Sequence, residues 1–379
     1  MNSSGILWIS ADPGCGKSVL SKSLVDEDLR CANSRATCYF FFKDDNDMQK
    51  TPAAAFSALL HQLFSQKQSL IKYALSDHAK EGPNLPQSFH KLWNILTEAA
   101  NDSKAGEIVC VLDALDECEE SGRYDIITTL NAFHKTVNSS GRTQSKLKFL
   151  VTSRPYLDIE RRFMGIIRDF PTVQLQGEKK LDVISHEIDI VIKQSMSDLT
   201  AELNLNESEK SVLEGELLSM THRTYLWAML IFKMIRDELD PTEDRLKEII
   251  KNLPQTVDQA YEAILSKIQD KRKAKKLLHI IVAATRPLTL TEMNIALAIE
   301  DHHQSYEDLR LSNHARFDST VRNLCGLFVN VIDQKVYLIH QTAKEFLVAR
   351  NTASTDGWKH SLNLVESALL IARTCITYL

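Results

Sequence analysis

The sequence predicts an α/β domain, a parallel sheet flanked by helices, followed by a helical domain and a winged-helix domain. Three observations predict it. A short apolar run, a glycine-rich turn and a helix follow one another within the first thirty residues. A fully apolar run, Ile108 to Leu112, ends in Asp113, as a strand covered on both faces of a parallel sheet does. From about residue 256 the pattern turns to short helices followed by two short strands.

Ile6 to Ile9 reads as a buried strand and Val19 to Leu29 as a helix, with Ala11-Asp12-Pro13-Gly14-Cys15-Gly16-Lys17-Ser18 between them. Gly14 and Gly16 allow the backbone conformations that aim successive N–H groups inward, and a helix beginning at Lys17 adds the positive end of its dipole. The result is an anion nest that matches the P-loop pattern, with Ala11 where the strict pattern has Gly. Lys17 would reach the β- and γ-phosphates and Ser18 would offer its hydroxyl to Mg²⁺; Gly14, Cys15, Gly16 and Val19 complete the cradle. A thiol at a helix N-terminus, as at Cys15, is expected to be acidified and open to oxidation.

Ala36 to Phe42, aromatic and β-branched, is a second strand, and Thr51-Pro52 is an N-cap with proline at the first helical position, opening a helix to Phe64. Further helices are expected over Ser69 to Lys80 and Ser88 to Ala100, on either side of the Gly82 to Pro86 break. The apolar strand Ile108 to Leu112 delivers Asp113 to the carboxyl end of the sheet, where open α/β folds bind ligands. Asp113 would hold Mg²⁺ through water, and Asp116 or Glu117 could orient an attacking water. Leu147 to Thr152 is another strand, and Pro155 holds Arg154 extended at its end, where an arginine can sense a γ-phosphate. Val173 to Leu175 reads as one more strand, before a long helix from Leu181 to about Leu199.

Beyond it, helices are expected over Glu207 to Met220, Tyr225 to Glu238 and Val257 to Ile268. The basic run Asp270 to Lys276 reads first as a solvated helix face. Helices over Lys276 to Thr285, Leu290 to Ile299 and Phe317 to Leu324 precede strands Leu327 to Ile332 and Val336 to Ile339, then a helix Gln341 to Ala349. Helices with a terminal hairpin make a winged helix, and His340 stands at its strand-to-helix junction. The expected domains are 1–178 (nucleotide-binding), 179–255 (helical lid), 256–350 (winged helix) and 351–379, the start of a further helical segment.

The chain has 379 residues, 44% hydrophobic and 25% charged, with a formal net charge of -5. That balance gives no general reason to expect nucleic acid as a partner. Seven scattered cysteines without a C-x-x-C pair favour a reducing, cytoplasmic setting, and no apolar run is long enough for a membrane span.

The motifs Ile9 to Ser18, Leu112 to Cys118, Thr152 to Pro155 and Leu338 to Gln341, with Tyr225 to Ala228 and Leu253-Pro254 followed by Tyr261, resemble the NACHT-type NTPases of filamentous fungi. These belong to the STAND class of signal-transduction ATPases, which includes the NOD-like receptors. The resemblance implies a switch that binds ATP or ADP with Mg²⁺, hydrolyses ATP slowly, is held closed by ADP and self-associates when activated. It implies phosphate and metal roles for Lys17 and Ser18, the Walker B acid at Asp113, and Asp116 ahead of Glu117 as catalytic acid. Arg154 resembles the sensor arginine, and His340 the winged-helix histidine that touches the β-phosphate of ADP. The effector and sensor regions of such receptors are expected to be missing from this chain, which reads as the switch core. Two rivals are a nucleotide-binding scaffold that never turns over, or a receptor remnant, and a metabolic P-loop kinase; the winged helix argues against the kinase.

Overall fold

A computed structural model describes residues 5–29, 34–140, 146–156, 159, 172–175, 178–221, 223–237, 248–300, 302–303, 308–348 and 357–378. The chain divides into two compact units, Met1–Leu181 and Asp182–Leu379.

In the first unit β1 (Gly5–Ala11), β2 (Arg35–Phe41), β3 (Glu107–Asp113), β4 (Lys146–Ser153) and β5 (Thr172–Leu175) form one sheet in the order β2-β3-β4-β1-β5. All four pairings are parallel. The P-loop strand β1 and the acidic strand β3 are therefore not neighbours, and β4 runs between them. On one face lies α1 (Lys17–Ser23), extended by a π-helical turn over Leu24–Asp28, within the helix expected to Leu29. The wider turn closes with Leu29 N–H donating to the Leu24 carbonyl at 2.7 Å, so Leu29 comes back over Leu24 and Val25. All three pack on the small sheet-facing cluster of Ile9, Val109, Val111 and Leu150.

The opposite face carries the larger core, under α2 (Pro52–Gln66), α3 (Lys72–Glu81), α4 (Phe89–Ala100) and α5 (Glu120–Ser140). Ile108, Cys110, Leu112 and Phe149 from the sheet meet Phe56, Leu59, Leu63, Leu96 and Leu130 from the helices. Each such buried side chain contributes about 1.5–3 kcal/mol of apolar transfer. As expected, α2 starts on Thr51, whose hydroxyl accepts from the Ala54 N–H, with Pro52 in the first turn. Edge strand β2 is covered by α2. Gln66 accepts from Thr37 N–H and donates to Thr37 C=O, and Gln62 does the same at Tyr39, all four bonds at 2.8–3.1 Å.

The second unit is helical. It takes in all but the first turn of α6 (Glu178–Leu203), then α7 (Glu207–Ser219), α8 (Tyr225–Arg236), α9 (Val257–Ser266), α10 (Lys271–Ala283), α11 (Leu290–Ala298), α12 (His314–Cys325), α13 (Gln341–Leu347) and α14 (Leu364–Tyr378). Side-chain caps at Asn206, Thr224, Thr256, Asp270 and Thr289 open five of these, satisfying N–H groups that the helix leaves unpaired. The basic run lies on the first turns of α10. Lys271, Arg272 and Lys275 face solvent, and Lys276 Nζ donates to the carbonyls of Leu297 and Ile299 at the end of α11.

Antiparallel strands β6 (Val329–Ile332) and β7 (Lys335–Leu338) follow α12 and form the wing. Asp333 and Gln334 both take positive φ, 49° and 62°, which makes a two-residue turn and draws Lys335 into the strand. Tyr261, Leu277, Phe317, Phe328 and Phe346 join this part of the unit in one core.

Candidate functional site

The loop after β1 is built as its glycines require. Gly14 and Gly16 have φ of 76° and 79°, in the left-handed region that other residues avoid. With Gly16 as N-cap, α1 opens at Lys17 without a side-chain cap, so its first N–H groups are left to a ligand. Lys17 folds back over this loop, with Nζ donating to the carbonyls of Ala11 at 2.7 Å and Asp12 at 3.0 Å. Burial lowers its pKa, and the charges of Asp116 and Asp113 act to raise it. Ser18 and Val19 are exposed at the helix start. Burial pushes the Cys15 thiol up rather than down, so the expected acidification is not present, although Lys17 acts in that direction.

The strand order brings the second motif to this loop. Asp113, 1% exposed at the end of β3, receives three hydroxyl bonds. Ser18 donates to Oδ2 at 2.5 Å, and Ser21 and Thr152 donate to Oδ1 at 2.6 and 2.7 Å. Thr152 stands at the end of the intervening strand β4, and its Oγ1 also accepts the Ala114 N–H at 2.9 Å. Ala114 takes φ 55°, an uncommon conformation for a residue with a Cβ. That kink starts the 3₁₀ turn Leu115–Glu117, which carries the other two acidic residues.

Asp116 faces Arg154. The guanidinium Nε lies 3.1 Å from Oδ2 and the Arg154 backbone N–H donates to Oδ1 at 3.0 Å, with both side chains buried. Arg154 Nη1 also donates to the Tyr156 hydroxyl, and Arg123 donates to the Asp116 carbonyl. Glu117 is pushed up to about 8 by burial and by the negative charges of Asp116 and Asp44, so it is protonated at neutral pH. Lys17, Ser18, Asp113, Asp116 and Arg154 are thus brought to one end of the sheet. Among the described residues no group of three or more His, Cys, Asp or Glu side chains could hold a metal by itself. A hydroxyl and one carboxylate suit Mg²⁺ arriving with phosphate oxygens and keeping several waters.

His340 lies in the second unit and caps α13. Its Nδ1 accepts the Thr342 N–H at 3.2 Å and lies 2.9 Å from the Thr342 hydroxyl, which in turn meets the Tyr261 hydroxyl at 2.9 Å. The sequence reading missed Ser21 and Thr152. The hydroxyl at the end of a strand that precedes the Arg154 motif was the available signal for Thr152; Ser21 had none beyond a polar residue among apolar ones.

Comparisons with known proteins agree with this order of parts. A family model described as "Nephrocystin 3, N-terminal" matches residues 1–154, a domain of unknown function (DUF7069) matches 184–242, and "GPI inositol-deacylase, winged helix domain" matches 261–356. The vegetative incompatibility protein HET-E-1 of Podospora anserina is 25% identical over 371 residues, which are 95% of this chain and 26% of that protein. The chain therefore spans about a quarter of the length of that relative. Among solved structures, the ORC2 protein of Aeropyrum pernix is 12% identical over 99% of this chain and 88% of that one, with a TM-score of 0.38. Cdc6p of Pyrobaculum aerophilum is 12% identical over 98% and 89%, with a TM-score of 0.36, a loose overlap in both cases. In the order of its two nucleotide motifs and the winged helix behind them, the chain is similar to the fungal NACHT-type NTPases.

Proposed function

We propose that the chain is a nucleotide-controlled switch that binds ATP and ADP with Mg²⁺, hydrolyses ATP slowly and is held closed by ADP. The observation that carries the reading is the bond between Ser18 and Asp113, residues 95 positions apart whose oxygens meet at 2.5 Å beside the anion nest. A hydroxyl and a carboxylate so placed fit the protein side of a Mg²⁺–phosphate site. When bound, the ion would neutralise the phosphate oxygens and orient them. Lys17 would leave its two loop carbonyls for the β- and γ-phosphates, a short movement because its amine already sits over the nest. Asp116 would orient the attacking water as general base, once Arg154 turns from it toward the γ-phosphate. His340 would contact the β-phosphate of ADP and hold the closed form.

The cellular role follows the relative, a vegetative incompatibility protein, and is a proposal for this chain: recognition of non-self or programmed cell death in a fungus, in the cytoplasm, with self-association on activation. Among the described residues no helix is long and apolar enough to cross a membrane. The Arg154–Asp116 pair also favours a second reading, a binding scaffold that does not turn over, since it occupies the catalytic acid.

The test is the nucleotide that copurifies with the protein, released by denaturation and identified by chromatography. ADP in the wild type, none in Lys17→Ala, and loss or exchange for ATP in His340→Ala are expected. An empty wild type that also fails to bind added ADP would sink the reading. Phosphate release by the wild type and its loss in Asp116→Asn separates the switch from the scaffold.

A further inference from the structure

Asp113 has two oxygens, and the structure treats them differently. Among the described residues Oδ2 receives one hydroxyl, that of Ser18 in the first turn of the P-loop helix. Oδ1 receives two donors, Ser21 from α1 and Thr152 from β4, at 2.6 and 2.7 Å, and all three side chains are buried. A serine within a helix ordinarily gives its hydroxyl to the carbonyl one turn back or to water. The Ser21 hydroxyl spends its proton on Asp113 instead. Thr152 is used at both lone-pair and proton: it accepts from Ala114 N–H and donates to Oδ1, so it fixes the carboxylate and the start of the acidic turn together.

We propose that Ser21 and Thr152 are positioning residues for Asp113, committing its Oδ1 so that Oδ2 alone is presented beside Ser18 to the nucleotide's Mg²⁺. The inference rests on the nucleotide reading above. Two charge-assisted bonds from separate elements, one on the P-loop helix and one on the strand between β1 and β3, hold the carboxylate against rotation. Freed of them, Asp113 could turn either oxygen toward the metal side and lose the orientation set before the ligand arrives. Both would act through Asp113, to which their hydroxyls donate, and not on the nucleotide itself.

The experiment measures the affinity of a fluorescent ADP analogue with and without Mg²⁺ for the full chain and for Ser21→Ala, Thr152→Val and Thr152→Ser. In the wild type Mg²⁺ is expected to tighten binding, and a wild type whose affinity ignores Mg²⁺ would overturn the proposal. Ser21→Ala and Thr152→Val should each lose roughly 10- to 150-fold of that tightening, the fold-change of one lost hydrogen bond to a charge. Their Mg²⁺-free affinity should stay at the wild-type value, which a merely destabilised protein would not keep. Thr152→Ser restores the hydroxyl and should restore the Mg²⁺ response. Alanine at position 21 suits a helix, so this variant remains a test even if Thr152→Val unfolds. Full Mg²⁺ tightening in Ser21→Ala would overturn the proposal while leaving the nucleotide reading intact. A wild type that binds no ADP analogue at all would overturn both.

Discussion

The Arg154–Asp116 pair decides how the acidic turn behaves before nucleotide arrives. Both side chains are withdrawn from water, and removing one member of such a pair leaves the other charge buried without compensation. Arg154→Ala is therefore expected to cost about 3 kcal/mol of stability. The double variant Arg154→Ala, Asp116→Asn should recover most of it, since it removes the stranded charge. Urea unfolding of the four proteins of the cycle measures this, and simple additivity of the two single changes would show that the pair is not coupled. Glu117 beside them has a separate signature. Its folded pKa of about 8 lies above the ordinary 4.5, so its contribution to stability is complete below about pH 4.5 and is lost as pH rises through 8. Between pH 5.5 and 8.5 the wild type should lose more stability than Glu117→Gln; equal losses in urea midpoint would exclude that origin. Lys17, Asp113, Asp116 and Arg154 were legible as residues because their types and spacing carry phosphate chemistry. Their mutual arrangement was not, because an ion pair between Arg154 and Asp116 depends on β4 standing next to β3, which no spacing encodes.

At the scale of elements, the strands were read closely and the helices less so. Fully apolar or β-branched runs between turns mark β1 to β4, and both motifs sit at their carboxyl ends. Helix α5 was missed. Its buried positions Ile126, Ile127 and Leu130 are diluted among Ser, Gly, Asn and Thr, residues of poor helix propensity, and tertiary packing supplies what local preference lacks. Gly122 shows how close that packing is, because a Cβ there would lie 2.4 Å from Pro52 Cδ on α2. Gly122→Ala should destabilise the first unit by about 1–3 kcal/mol despite the better helix propensity of alanine, read as a lower melting temperature. Edge strand β2 gives a second case. Gln62 and Gln66, one turn apart on α2, pair with the outward backbone groups of Tyr39 and Thr37 as another strand would. Gln62→Ala with Gln66→Ala removes four hydrogen bonds and uncovers an edge, so a loss of a few kcal/mol and concentration-dependent association in light scattering are expected. A variant that stays monomeric and as stable as the wild type would show that α2 shields the edge by bulk alone.

For the molecule as a whole, each unit owns a hydrophobic core, one centred on Phe56, Phe149 and Leu112, the other on Tyr261, Phe317 and Phe328. Units with separate cores can unfold in separate cooperative transitions, and a ligand that binds both couples them. This makes the proposed ADP clamp measurable without turnover. The P-loop and Asp113 belong to the first unit and His340 to the second. A ligand at about a hundred times its dissociation constant stabilises what it binds by about 2.7 kcal/mol. If ADP is held by the first unit alone, calorimetry should show only one transition moving upward when ADP is added. If His340 contacts the β-phosphate, both transitions should rise or merge, and His340→Ala should return the second to its ligand-free temperature while the first stays raised. His340 also caps α13 through Thr342, so the variant lowers the second transition without ADP as well, by about 1 kcal/mol for the lost cap. The diagnostic quantity is therefore the shift that ADP causes in each protein, since the cap contributes equally with and without nucleotide and cancels from that difference.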